Sequence, residues 1–217
     1  LLWNRYAEHG LMQDGKNLRG GRNPSVFCAS LADVFDAEVD QAWRDDLWHL
    51  IYQTPNLSWL LVTKRIGIVQ RMVPALWMNN KFPDNVRLLL TVCNQMEADR
   101  DIPKLLTLPC KNGISYEPAL GPVDWWRYLC PWNHRESRYG RSVEWIIICG
   151  ESGPKARPFL FGWARSTIAQ CKAAGVPVFM KQTGTDHALL YERVQKDRAG
   201  ADPSEWLEEL RVQKFPE

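Results

Sequence analysis

Six short apolar runs, each followed by polar residues, constrain the fold of this sequence more than any other feature. The runs and their polar ends occupy residues 27–30, 60–65, 89–92, 113–117, 147–152 and 178–182. Parallel strands that are buried on both faces read as continuous apolar runs, and each crossover returns the chain to the same end of the sheet. The six polar ends are therefore expected at one edge, where α/β barrels and open α/β sheets bind ligands.

Segments with helical spacing of apolar residues lie between these runs. The first stripe consists of Val39, Ala42, Trp43, Leu47, Leu50 and Ile51, and Asp36 is a candidate cap for its helix. Further stripes fall within residues 66–73, 96–106 and 163–174, and Pro or Gly follows near the end of each. The alternation predicts an α/β fold, a partial or full TIM-like (β/α) barrel of parallel strands with at least six β/α units.

The same pattern predicts the domain organisation. Residues 1–184 form the barrel domain, and because residues 1–21 offer no opening strand, the first unit of the barrel is expected to be absent from this chain. Residues 131–142 are polar and basic, which predicts an inserted surface loop. Residues 185–217 are expected to form a C-terminal tail that packs on the barrel.

Composition bounds the class of protein. The chain has 217 residues, 45% hydrophobic and 24% charged, which is typical of a globular domain with a sizeable core. Its 27 Lys and Arg residues against 25 Asp and Glu residues leave +2, too little to argue for a polyanionic partner from net charge. No apolar run approaches a membrane span and the start has no signal-peptide pattern, so we expect a cytoplasmic protein without a membrane partner.

The cysteines indicate packing rather than metal binding. The six thiols are Cys28, Cys93, Cys110, Cys130, Cys149 and Cys171, and no two of them have a CxxC or CxxxC spacing. We expect reduced core thiols, and no metal site within this chain.

Cations follow two of the apolar runs. Lys64 and Arg65 come after Thr63, and Lys181 precedes Gln182. Such side chains could hold a phosphate, a carboxylate or a nucleic-acid backbone, since Arg offers a bidentate fork and Lys a point charge. The alternative is that they form salt bridges with neighbouring strand ends.

Carboxylates follow two further runs, at Glu117 after Ser115 and at Glu151 in the sequence Gly150-Glu151-Ser152. Two carboxylates beside a lysine could transfer protons, bind a metal, or bind the ribose or amino group of a cofactor. Alternatively, they neutralise the neighbouring cations. The glycine-rich segment is either a ligand loop, which lets the backbone approach closely, or a plain turn.

Neutral and acidic side chains complete the expected site. Asp33 is either an acid at the first strand or an early helix cap. Thr91, Asn94 and Gln95 could bind a sugar or base edge, or could bond internally with Arg100. The candidate ligand-binding residues are Ser30, Asp33, Thr63, Lys64, Arg65, Thr91, Asn94, Gln95, Ser115, Glu117, Gly150, Glu151, Ser152, Lys181 and Gln182. No residue has a spacing that identifies it as catalytic.

The order of these segments resembles a bacteriophage and prophage protein family of unassigned function, named after two phage gene products. The resemblance covers most of the chain and rests on residues 27–35, 61–65, 91–95, 115–122, 150–154 and 179–182. Members of that family typically carry an upstream cysteine cluster followed by Tyr-Ala, which is similar to the iron–sulfur loop of radical S-adenosylmethionine enzymes. This chain lacks that cluster.

The resemblance implies a radical S-adenosylmethionine-like enzyme, or its substrate- and cofactor-holding portion, in a bacterial or phage-infected cell. A [4Fe–4S] cluster bound upstream would cleave S-adenosylmethionine. Glu117 or Glu151 would bind the methionyl amino group or the ribose, and Lys64, Arg65 and Lys181 would hold an anionic, nucleic-acid-derived or small-molecule substrate. The alternative is a non-catalytic barrel of phage origin that binds nucleic acid or another protein.

Overall fold

A computed structural model of the chain describes residues 2–8, 23–28, 32–79, 81–129, 140–186 and 196–216. The chain divides into two compact units. Unit 1 comprises Leu1–Leu89 with Leu108–Lys111, and unit 2 comprises Leu90–Thr107 with Asn112–Glu217.

Six strands form one parallel sheet, and consecutive strands along the chain are neighbours in it, in the order β1 to β6. The strands are β1 (Ser25–Cys28), β2 (Ser58–Thr63), β3 (Val86–Thr91), β4 (Lys111–Tyr116), β5 (Ile146–Cys149) and β6 (Val178–Gln182). Every residue of β3 and β5 is buried, as continuous apolar runs predict. The predicted parallel α/β fold is therefore confirmed, in its form as a partial barrel. The full barrel is not: the strands of the described residues do not close.

Seven α-helices are described, most of them between strands. They are α1 (Leu2–Glu8), α2 (Gln41–Gln53), α3 (Val69–Met72), α4 (Ala75–Asn79), α5 (Gln95–Leu105), α6 (Trp126–Leu129) and α7 (Phe161–Ala174). Short 3₁₀ helices occupy Ile66–Ile68, Pro203–Glu205 and Glu208–Leu210. None of the described helices is long and apolar enough to cross a membrane.

The cap and the buried stripe of α2 both differ from the sequence prediction. Asp40, rather than Asp36, caps the helix, because its side chain accepts a hydrogen bond from the Ala42 backbone N–H. The buried residues are Arg44, Trp48 and Ile51, whereas Trp43 is 71% exposed. Arg44 can be buried because its guanidinium donates to the Asp36 carbonyl and the Gln41 side chain.

Aromatic side chains build the core of unit 1. Trp77 is fully buried, with its ring centroid 4.9 Å from that of Trp48 and 5.0 Å from that of Phe82. Its indole N–H donates to the Tyr52 hydroxyl at 2.5 Å. Trp77 therefore joins α2 to the segment after α4 through both apolar contact and a hydrogen bond.

In unit 2, the C-terminal segment pairs with β6. Phe179 and Gln213 form an antiparallel bridge, the Met180 N–H donates to the Val212 carbonyl at 2.7 Å, and the Lys214 N–H donates to the Val178 carbonyl at 3.0 Å. These bonds occupy backbone groups that an edge strand would otherwise leave exposed. The domain boundary at residue 184 stays a prediction, and residues 131–139 of the predicted inserted loop lie outside the described residues.

The cysteines pack as predicted within the described part of the chain. Cys93, Cys110, Cys149 and Cys171 are buried, and Cys28 is half-buried. Cys130 lies outside the described residues. Among the described residues, no group of three or more His, Cys, Asp or Glu side chains could hold a metal ion.

Two tryptophan substitutions in unit 1 test this account of its core. We expect Trp77→Ala to lower the free energy of unfolding by about 3–5 kcal/mol, the usual cost of truncating a buried Trp. The matched control, Trp43→Ala, removes an exposed ring from α2 and should change it by less than about 0.5 kcal/mol. Chemical denaturation of both variants measures the difference, and similar losses in the two would contradict the assignment of the buried face.

Candidate functional site

The ends of β4, β5 and β6 bring the polar groups of unit 2 to one edge of the sheet. Tyr116 at the end of β4 pairs with Ile148 of β5, and Cys149 of β5 pairs with Gln182 of β6. Because the paired strands end at corresponding positions in the register, the residues that follow them lie side by side. Glu117 and Glu151 lie just beyond β4 and β5.

Glu117 is the centre of a small polar network. Its Oε1 accepts a hydrogen bond from the Lys181 ammonium at 2.5 Å, and its Oε2 accepts one from the Ser115 hydroxyl at 3.1 Å. The Glu117 side chain is 28% exposed and the Lys181 side chain 37% exposed. The pair therefore reaches solvent from a partly buried position, where a charge-assisted hydrogen bond is stronger than at an open surface. Three of the predicted site residues are in direct contact here.

Cys149 lies beside this network but is chemically inert. Burial raises the pKa of its thiol far above the ordinary value, the Glu117 carboxylate raises it further, and the Lys181 ammonium opposes both effects. The raised pKa keeps Cys149 protonated at neutral pH, and because the thiolate is the reactive form, this thiol is a poor nucleophile. The thiol of Cys93, also buried, lies 3.9 Å from the Glu117 carbonyl oxygen.

Glu151 pairs with a residue that the sequence analysis did not single out. The Arg157 guanidinium donates to both carboxylate oxygens of Glu151, at 2.8 and 2.9 Å, and the Arg157 backbone N–H donates to Oε2 at 2.9 Å. The hydrogen bond to Glu151 raises the pKa of Arg157. The alternative to a functional role was that Glu151 neutralises Lys64, Arg65 and Lys181; the described hydrogen bonds pair it with Arg157.

A sequence signal for this pair does exist. Two cations, Lys155 and Arg157, follow the glycine-rich segment within six residues of Glu151, in a stretch bounded by Gly153 and Pro158. Gly and Pro disfavour a helix, so a turn can bring a cation to Glu151, and the fold of the loop selects Arg157.

The glycine-rich segment makes a close backbone approach to the end of β6. A β-carbon at Gly150 would overlap the carbonyl group of Thr183, and one at Gly184 would lie 2.5 Å from the carbonyl oxygen of Glu151. The Gln182 side-chain amide donates to the Gly150 carbonyl at 3.2 Å. Gly150 is therefore required by packing between the ends of β5 and β6, while Ser152 lies exposed in the loop that follows.

The neutral residues after β3 serve the helix that follows them. The Asn94 side chain caps α5 by accepting from the Glu97 N–H at 3.0 Å. The Glu97 carboxylate accepts from the Cys93 N–H at 2.8 Å, so the arrangement resembles a capping box shifted by one residue. Gln95 accepts from the Asp124 N–H and donates to Asp99. Asn94 and Gln95 are thus engaged in internal hydrogen bonds.

Arg100, the internal partner suggested for Thr91, Asn94 and Gln95, bonds to Asp101. Thr91 is buried at the end of β3.

In unit 1, Asp33 collects hydrogen bonds from the end of β2. Its Oδ2 accepts from the Thr63 hydroxyl at 2.9 Å, from the Lys64 backbone N–H at 3.1 Å and from the Arg65 guanidinium at 3.3 Å. Arg65 also bonds to Asp36 at 2.6 Å. Asp33 Oδ1 accepts from the Phe35 N–H at 3.0 Å, but a turn rather than a helix follows, so Asp33 is not a helix cap. The salt-bridge alternative holds for Arg65. Ser30 lies outside the described residues.

The structure thus brings the predicted site residues together in two groups. Unit 1 contains Asp33, Thr63, Lys64 and Arg65, and unit 2 contains Ser115, Glu117 and Lys181, with Gly150 and Gln182 in contact nearby. The second group combines a cation and a carboxylate that both reach solvent. It is the stronger candidate for a ligand site.

The chain was compared with known proteins and structures. A family described as a protein of unknown function (DUF5131) matches over residues 5–211. The chain belongs to this family. No curated protein and no solved structure matches it. Membership of DUF5131 carries neither phage origin nor a relation to radical S-adenosylmethionine enzymes, so both remain matters of resemblance.

The described cysteines of this DUF5131 chain do not fit an iron–sulfur cluster. Cluster ligands are thiolates gathered at one point. Cys28, Cys93, Cys110, Cys149 and Cys171 lie on or next to different elements, and burial raises the pKa of three of them, Cys28, Cys149 and Cys171. These five described cysteines therefore do not form a cluster site.

Gly150 offers a test of the backbone approach. We expect Gly150→Ala to lower the free energy of unfolding by about 1–3 kcal/mol or more, because the new methyl group overpacks against backbone that cannot move as a side chain can. Gly162 in α7 has open space around it and is the matched control. Gly162→Ala should be neutral or stabilising by up to about 1 kcal/mol. Equal effects in thermal or chemical denaturation would refute the packing requirement.

Asn94 offers a test of its role in α5. We expect Asn94→Ala to cost about 1 kcal/mol of stability through loss of the cap, and Asn94→Asp to retain most of it. Denaturation curves measure both changes. If Asn94→Ala left stability unchanged, the side chain would be available for another purpose, contrary to the capping role.

Proposed function

We propose that this chain is the substrate- and cofactor-holding portion of an S-adenosylmethionine-dependent enzyme, and that the ends of β4, β5 and β6 hold a small molecule carrying both an amino group and a carboxylate. The observation that carries the proposal is the accessible pair formed by Glu117 and Lys181. Family membership and the parallel α/β fold are compatible with it but do not specify it.

The pair suits a ligand with two opposite charges. A ligand ammonium can bond to the Glu117 carboxylate, and a ligand carboxylate can bond to the Lys181 ammonium, so each protein charge exchanges one ionic partner for another. The Ser115 hydroxyl orients Glu117 by donating to its Oε2. The Gly150 backbone is covered by Thr183, and the exposed Ser152 of the same loop can bond to a ligand.

S-adenosylmethionine fits this description through its methionyl group, which carries an ammonium and a carboxylate. When bound, it supplies a methyl or a 5′-deoxyadenosyl group for transfer. The residues of this chain bind and orient: Glu117 holds a positive group, Lys181 holds a negative one, and Glu151 keeps Arg157 in place in the loop after β5.

The alternative of a nucleic-acid-binding or protein-interaction barrel has less support. Arg65, Arg157 and Lys181 are each paired with a carboxylate of their own unit. Such pairing reduces the positive potential that a phosphate backbone requires. We therefore do not propose it as the function.

Binding of S-adenosylmethionine to the purified chain, measured by isothermal titration calorimetry, tests the proposal. We expect Glu117→Gln and Lys181→Gln each to weaken the affinity about 10- to 100-fold, the usual loss for a hydrogen bond between charged groups. Glu209→Gln is the matched control, since Glu209 forms an exposed ion pair with Arg165 on the C-terminal segment. It should bind as the wild type does.

Two results would contradict the proposal. One is the absence of heat from S-adenosylmethionine binding to the folded wild-type chain. The other is equal affinity of Glu117→Gln and Glu209→Gln. Salt-dependent binding of a DNA or RNA oligonucleotide by the same preparation would favour the alternative, because phosphate contacts release counterions.

A further inference from the structure

The loop between β5 and α7 rests on the segment that follows β6. The Thr185 backbone N–H donates to the Glu151 carbonyl at 2.8 Å, and the Gly153 N–H donates to the Thr185 hydroxyl oxygen at 3.0 Å. Thr185 therefore contacts the loop on both sides of Ser152. The loop has a left-handed backbone at Gly153, with φ of 107°, and a second left-handed residue at Lys155, with φ of 63°.

Thr185 also bonds to the C-terminal part of unit 2. Its hydroxyl donates to the Arg198 carbonyl at 2.8 Å. Next to it, the Thr183 N–H donates to the Gly200 carbonyl at 2.9 Å, and the Gly184 N–H donates to the Ala199 carbonyl at 3.1 Å. Residues 197–206 thus form a brace against the segment after β6, and we call them the C-terminal brace.

The C-terminal brace is itself ordered by buried and capping contacts. Trp206 is 3% exposed, and its indole N–H donates to the Gly200 carbonyl at 2.8 Å. The Asp197 carboxylate accepts from the Ala199 and Ala201 N–H groups, at 2.9 and 3.1 Å. A buried indole with a satisfied N–H fixes backbone position more firmly than surface contacts do.

These contacts form a continuous path from Trp206 to Glu151. Gly200 links the brace to Thr183, Arg198 links it to Thr185, and Thr185 links it to Gly153 and Glu151. The Thr185 hydroxyl is the junction, since it donates to the brace and accepts from the loop through one oxygen. A hydroxyl can do both at once, whereas a methyl group can do neither.

We propose that Thr185 is a positioning residue of the ligand site, and that the C-terminal brace holds the loop of Gly150, Glu151 and Gly153 in its ligand-binding conformation through the Thr185 hydroxyl. The inference rests on the proposed function, because it concerns the same edge of the sheet. It adds a residue and a segment that contact no ligand themselves but determine where the loop lies.

Hydrogen exchange of the Gly153 amide, followed by NMR, measures the link without any ligand. Thr185→Val keeps the shape of the side chain and removes the hydroxyl, so the Gly153 amide should exchange about three- to tenfold faster, as the loss of one hydrogen bond predicts. Thr185→Ser restores the hydroxyl and should restore wild-type exchange. Thr107→Val is the matched control, because its hydroxyl donates to the Lys104 carbonyl away from this loop.

Affinity for S-adenosylmethionine, measured by calorimetry, tests whether the ordered loop serves the site. We expect Thr185→Val to bind about three- to tenfold more weakly and Thr185→Ser and Thr107→Val to bind as the wild type. If Thr185 had only a structural role, Thr185→Val would have a lower melting temperature but the same affinity for S-adenosylmethionine as Thr185→Ser. That result would overturn the inference.

The two readouts separate this inference from the proposed function. Unchanged Gly153 exchange in Thr185→Val overturns the inference even where the wild type binds S-adenosylmethionine. Faster Gly153 exchange in Thr185→Val with an unchanged affinity for S-adenosylmethionine also overturns the inference, because the order of the loop would then not affect ligand binding. If the wild type does not bind S-adenosylmethionine, the proposed function fails, and the exchange rates of the two Thr185 variants still decide whether the brace positions the loop.

Discussion

The close approach of the Gly150 backbone to Thr183 is the constraint on which the rest of the candidate site depends. It draws the ends of β5 and β6 together, and Gly184 makes the reciprocal approach to Glu151. Parallel pairing then sets Lys181 of β6 beside Glu117, which follows β4 on the other side of β5. A side chain at either glycine would separate these ends, so the geometry of the charged pair follows from two positions that have no side chain.

The two carboxylates at this edge have different chemical roles because their partners differ. Both oxygens of Glu151 are bonded to Arg157, which lies six residues away in the same loop, so this pair holds the loop closed on itself. Glu117 bonds instead to Lys181 from a different strand and to Ser115. Its bond to Lys181 therefore connects the ends of β4 and β6. A ligand that replaced this bond would not disrupt a loop.

Periodicity in the sequence predicted the parallel strands well, because β3 and β5 are buried along their whole length and carry no competing signal. The same reasoning failed for α2, where Arg44 is buried and Trp43 exposed. The spacing of apolar residues could not predict that the Arg44 guanidinium would donate a hydrogen bond to the backbone carbonyl of Asp36. For Asn94 and Gln95 the sequence left two alternatives, a ligand contact or internal hydrogen bonds, and the structure shows internal bonds. Glu97 lies three residues after the cap Asn94, a spacing that can be read from sequence. Arg157 was missed because its pairing depends on the fold of a loop.

The pairing of Lys181 with Glu117 changes which ligand the edge can accept. A simple anion that binds Lys181 must displace Glu117 or lie beside it, and two negative charges at hydrogen-bonding distance of one ammonium repel each other. A ligand with both an ammonium and a carboxylate meets no such conflict, since each of its charges faces an opposite one. The anionic substrate that the resemblance implied for Lys64, Arg65 and Lys181 is therefore less compatible with the pair of Glu117 and Lys181 than a zwitterion.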